Sequence, residues 1–139
     1  MLRKVLLPAL VVTVAWAVLD FLMHGVLLRS QYMATPELWR PMGQMKMGVM
    51  YFAVFTSALA FAAIYHNFVR PKSGPIALLF GIWLGLGHGI SFGYGSYAVM
   101  PIPYIMAFTW FIGSIVEGAV AGMIVGAMLK DPPAAVAAA

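Results

Sequence analysis

Four uninterrupted apolar stretches, at about 5–28, 47–68, 76–98 and 104–129, leave this chain few folds to choose from. A hydrocarbon core about 30 Å thick takes roughly 20 helical residues to cross, and each stretch has that length. Inside a bilayer no water is at hand for backbone N–H and C=O groups, so open sheet edges are excluded and each stretch must close its hydrogen bonds within itself. The expected fold is all-α: an integral membrane four-helix bundle, forming one domain over residues 1–130, with an outer loop at 29–46 and a disordered tail at 131–139.

Composition agrees. The chain is 63% hydrophobic and only 9% charged, with mean hydropathy +0.95, whereas a soluble domain carries about a quarter charged residues. No soluble catalytic domain fits beside the four helices, so any chemistry lies inside them or in their short connections. A net charge of +4 arises from basic residues scattered at helix ends, which read as membrane anchors and not as a nucleic-acid surface. With no cysteine, a disulfide framework, a thiolate metal site and a cysteine nucleophile are all excluded.

The start, Arg3 and Lys4 before an apolar run reaching Ala15-Trp16-Ala17, has the outline of a signal peptide with a small-x-small cleavage site. Because the apolar run continues to Leu28, a retained first helix is expected. Pro8 is expected in the first turns of that helix, and Pro75, Pro101 and Pro103 mark boundaries of the third and fourth. Arg3, Lys4, Arg70, Lys72 and Lys130 lie on the side of both termini, against Arg29, Arg40 and Lys46 on the other. The positive-inside rule then places both termini in the cytoplasm. The outer loop, with Tyr32, Trp39, Arg40 and Pro41, is expected to run along the interface. The tail from Pro132 is low in complexity, and no function is expected of it.

Small residues predict which helices touch. Gly81, Gly85, Gly89 and Gly93 recur every fourth residue in the third stretch, as do Ser114, Gly118, Gly122 and Gly126 in the fourth. Such stripes let helix backbones approach in lipid, so the third and fourth helices are expected to pack tightly, or one stripe to serve an oligomer interface.

Asp20, His24, His88 and Glu117 lie well inside apolar runs. A charged side chain at a helix centre costs about 2.5 kcal/mol or more, so such residues face the bundle interior and mark a site by default. Asp20 and His24, four apart, share a helix face. His88 neighbours Gly89 and Glu117 neighbours Gly118, which predicts that both meet at the glycine seam. The four would form an N and O donor set for iron, zinc, manganese or copper, or His24 and His88 would hold a haem. Two other classes stay open: a proton- or cation-coupled carrier using the same residues as its path, and a structural or assembly subunit in which they only pair. His66, beside Asn67 and Arg70, needs no more than a headgroup-facing role. Met42, Met45 and Met47 offer thioethers suited to Cu(I), against the plainer role of Met as flexible apolar filler.

No G-x-S-x-G, H-E-x-x-H, P-loop or G-x-G-x-x-G is present, so no recognised catalytic motif is found. A weak internal echo is visible, His24-Gly25 followed by Tyr32 and Pro36, and His88-Gly89 followed by Tyr97 and Pro101. It would suit a duplicated hairpin. The string Asp20-x-x-x-His24-Gly25-Val26-Leu27-Leu28, continued by Tyr32, Thr35 and Leu38-Trp39-Arg40-Pro41, resembles small uncharacterised four-span inner-membrane proteins of bacteria. The resemblance covers roughly the first third of the chain and implies a multi-pass place in a bacterial inner membrane. It implies no activity, cofactor or catalytic residue. The lipid bilayer is the expected partner, with a homo-oligomer or a larger membrane complex beside it.

Overall fold

The structure, a computed structural model, describes residues 2–131; the tail from Pro132 onward lies outside them. All regular structure among the described residues is helical, with no strand. Helix α1 (Leu2–Asp20) runs without interruption into a π-helical segment, Phe21–Leu27, and the short α2 (Arg29–Ala34) follows. Two 3₁₀ turns, Pro36–Leu38 and Met42–Gln44, complete the outer loop. Helix α3 (Met47–Phe68) returns, α4 (Gly74–Gly89) passes through a second π-helical segment, Ile90–Tyr94, into α5 (Gly95–Val99), and α6 (Tyr104–Met128) ends the bundle. Four continuous helical rods, Arg3–Leu27, Met47–Phe68, Gly74–Val99 and Tyr104–Met128, are long and apolar enough to cross a membrane. The chain is an all-α, multi-pass membrane bundle, and its four spans fall close to the stretches read from the sequence.

Local chemistry sets the ends. Ser73 caps α4 by accepting the Ile76 amide, with Pro75 just inside the first turn, where a missing N–H is harmless. Pro103 precedes α6. Pro8 lies in the second turn of α1, inside the helix, which already starts at Leu2. Its missing N–H leaves the Lys4 carbonyl, near the aqueous end, without its usual donor.

Two apolar layers fill the bundle. The layer near the termini joins Val5, Ala9 and Val12 of α1 with Phe61 and Tyr65 of α3 and Val125 of α6. The outer layer joins Met23, Leu28, Ile102, Met106, Ala107 and Trp110. The 29–46 loop packs on this second layer through Tyr32, Leu38 and Trp39. Trp39 is pinned there by its indole N–H, which donates to Thr35 at 2.9 Å. Asp20 and Glu117 occupy the sequence positions between the two layers.

Helices α4 and α6 meet backbone to backbone along an antiparallel seam. A Cβ added to Gly93 would come 2.6 Å from the Ala107 carbonyl oxygen, and one on Gly89 would come 2.7 Å from that of Phe111. Deeper in, Gly85 lies against Ser114 and Ile115, Gly81 against Gly118 and Gly122, and Gly122 against Ala77. These contacts are closer than any side chain allows, so the glycine spacing sets the packing distance.

Candidate functional site

Three of the four ionisable residues singled out by sequence come together between α1 and α6. Asp20 ends the regular part of α1, and its Oδ1 lies 3.7 Å from Nε2 of His24, one turn on. Both side chains are half-buried, each 35% exposed. From α6, the Glu117 carboxyl lies close to that of Asp20. Trp16 locks the two helices at this level, its indole N–H donating to the Glu117 backbone carbonyl at 2.9 Å. Glu117 Oε1 is buried with no hydrogen-bond donor.

The π-helical segment explains how one helix presents both Asp20 and His24. There the Leu28 amide reaches back five residues to the Met23 carbonyl, at 2.9 Å, in place of the usual four. The looser turn holds His24 so that Nδ1 lies 2.5 Å from the Tyr32 hydroxyl on α2, while Nε2 points towards Asp20. Burial pushes the Tyr32 hydroxyl up to about 12, so it stays protonated at neutral pH. The polar groups thus form a chain Glu117, Asp20, His24, Tyr32, leading from between the apolar layers to the outer loop.

The chain is boxed by aromatic rings. Trp110 lies 6.2 Å from His24 and 6.3 Å from Trp39 between ring centroids. Its buried indole N–H, beside the Tyr32 hydroxyl, has no acceptor within hydrogen-bond geometry. Neither Trp110 nor Trp16 was singled out by sequence, although a tryptophan well inside a span, away from the interfacial belts, is a usable signal.

His88 does not join the site. It is exposed, stacked on Phe92 at 5.7 Å, and Phe92 in turn stacks on Trp110 at 4.9 Å. Two rings therefore separate His88 from His24, and a haem between the histidines would have to displace both. The expectation failed for two geometric reasons. Successive residues on a helix point about 100° apart, so a neighbour of a seam glycine faces away from the seam. The register also differs, since Gly89 meets Phe111 and Ser114 while Gly118 meets Gly81 and Gly85 a turn or more deeper. Glu117, likewise turned off the seam, faces α1. Among the described residues no three His, Asp or Glu side chains converge as ligands for one ion. Met42, Met45 and Met47 are all exposed on the outer loop and at the start of α3. His66 lies at the opposite end of the bundle, near Arg70 and Lys72.

Comparison with protein families, curated proteins and solved structures finds no match to this chain.

Proposed function

We propose that this protein is a small proton-coupled membrane carrier, in which the Asp20–Glu117 pair holds a proton and His24 and Tyr32 connect it to the outer face. The carrying observation is the succession of titratable or hydroxyl groups, in which one ring nitrogen of His24 faces Asp20 and the other meets the Tyr32 hydroxyl. An imidazole placed this way takes a proton at Nε2 and gives one up at Nδ1. The 3.7 Å gap to Asp20 is too long for a direct hydrogen bond, so transfer needs a small side-chain movement or a bridging water. The neutral Tyr32 hydroxyl then relays the proton outward, donating and accepting without storing charge. Carboxyl pairs and histidines inside membrane helices mark such relays, because their cost in lipid is otherwise unexplained.

A metal site on Asp20, His24, His88 and Glu117 is not supported, since no three of these side chains converge as ligands and His88 lies apart from the rest. Haem held by two histidines is not supported, given the rings between them. A bacterial inner membrane, with both termini cytoplasmic, is part of the proposal, supported by the resemblance of the first third and by the basic-residue distribution.

The test is proton flux in proteoliposomes containing a pH-sensitive dye. Wild-type protein should dissipate an imposed pH gradient, and Glu117→Gln and Asp20→Asn should reduce the rate to that of empty vesicles while keeping their helical content. Equal flux in wild type and both variants would overturn the proposal. One equivalent of tightly held metal in wild type, lost in all three of Asp20→Asn, His24→Ala and Glu117→Gln, would replace it with the metal reading.

A further inference from the structure

At the end of the bundle away from the proton site, the turn between α3 and α4 and the end of α6 enclose a cavity of about 450 Å³ lined by Lys4, His66, Arg70, Lys72, Lys130 and Asp131. Its charges are unbalanced. Lys72, with a side chain only 4% exposed, is committed to Asp131: Nζ lies 3.2 Å from Oδ1, and the backbone amide donates to Oδ2 at 2.6 Å. Arg70 Nε stands 3.8 Å from the same carboxylate. Lys4 and Lys130 are exposed and meet no carboxylate at ion-pair distance among the described residues. One acid thus faces four permanent cations, and His66 adds a buried Nδ1 with no partner.

A second cavity adjoins the first. An apolar groove of about 540 Å³ runs between α4 and α6, lined by Pro75, Leu78, Met123 and Ala127, with Gly74 and Gly126 deepening it. Lys130 lines both spaces. Cations at the level of the span ends, continuous with an apolar groove towards the bilayer, match the two halves of one ligand: an anionic head and a hydrocarbon chain. Basic pockets between membrane helices take acidic headgroups by this chemistry. We propose that this end of the bundle binds one anionic phospholipid, its phosphate among Lys4, Arg70 and Lys130 and one acyl chain along Leu78 and Met123.

Native mass spectrometry of the detergent-solubilised full chain, titrated separately with phosphatidylglycerol, phosphatidylcholine and inorganic phosphate, tests this. Phosphatidylglycerol should bind as one tight equivalent, with phosphatidylcholine about tenfold or more weaker. Each lysine removed should weaken phosphatidylglycerol about fivefold, and Lys4→Gln with Lys130→Gln together roughly thirtyfold. Neither lysine is in an ion pair, so the lipid-free melting temperature should not move. If the double variant fails to fold, Lys130→Gln alone serves, with its fivefold loss. Met123→Trp, which fills the groove, should weaken the lipid while leaving any phosphate binding unchanged. Equal binding of the two lipids, wild-type affinity in the lysine variants, or inorganic phosphate competing at the lipid's own concentration would each overturn the proposal, the last reducing it to a simple anion site.

Discussion

His24 shows how much a single residue's placement depends on its backbone. Its two ring nitrogens reach Asp20 and Tyr32 because the helix widens to π geometry around it, and such segments recur at functional sites. Tyr32→Phe removes only the hydroxyl. It leaves Nδ1 of His24 unpaired, which should lower stability by about 0.6–2 kcal/mol on membrane hydrogen-bond scales. The same change should slow proton flux at least as far as His24→Ala does, since both cut the relay at one link. Proteoliposome flux and detergent melting measured together check the pair, and undiminished flux in Tyr32→Phe would remove the tyrosine from the path. A pH signature follows as well. Folded Tyr32 holds its proton to about pH 12, above the ordinary value of 10, so the unfolded chain ionises first as pH rises. The tyrosine's contribution to stability is therefore complete below pH 10 and lost between about 10 and about 12. Melting curves over that window should fall less steeply in Tyr32→Phe than in wild type.

At the scale of elements, the glycine seam and the polar chain were legible to different degrees. Repetition every fourth residue survives any uncertainty in helix ends, and the seam forms where Gly81, Gly85, Gly89 and Gly93 predicted it. The convergence of His88 with Glu117 did not follow, because adjacency to a seam residue fixes a direction around the helix that points off the seam. The π segments Phe21–Leu27 and Ile90–Tyr94 are invisible to periodicity over so few residues. The His-Gly echo nevertheless reaches the backbone: one π segment contains His24-Gly25 and the other begins directly after His88-Gly89. The seam makes a sharp prediction. Gly85→Ala would press a methyl against Ser114 and Ile115 backbone atoms, whereas Gly87→Ala meets nothing within 4 Å. Melting should drop by about 1–3 kcal/mol for the first, as for overpacked cores. It should hold or rise by up to about 1 kcal/mol for the second, since alanine is the better helix former.

The whole molecule is arranged as two ends with different chemistry across two apolar layers: the polar chain from Glu117 to Tyr32, boxed by aromatic rings near the 29–46 loop, and a basic collar at the end holding Lys4. Four spans return the chain to the side from which it starts, so one observation orients everything. Arg3, Lys4, Arg70, Lys72 and Lys130 outnumber Arg29, Arg40 and Lys46, and the orientation proposed on that ground puts the collar in the cytoplasm. The structure adds that Lys72 and Asp131 are joined, so this charge pattern is tied to the fold. The Lys72 backbone amide, above all, holds the Asp131 carboxyl below the usual carboxylate range. Because the folded form keeps Asp131 ionised at lower pH than the unfolded form does, its contribution is full above about pH 4. It is lost as pH falls through the depressed folded value. Asp131→Asn should therefore lower the melting temperature at neutral pH and show less acid destabilisation than wild type below pH 4. Orientation is read separately, from reporter domains fused after Lys72 and after Ala139. Both should report the cytoplasm. A periplasmic signal from both would invert the molecule, turning the proton route of Tyr32 inward and the basic collar outward, while leaving the four spans and their packing unchanged. A split result, one fusion on each side, would break the four-span topology itself, because the helical rods between residue 72 and the C-terminus number two and must return the chain to its own side.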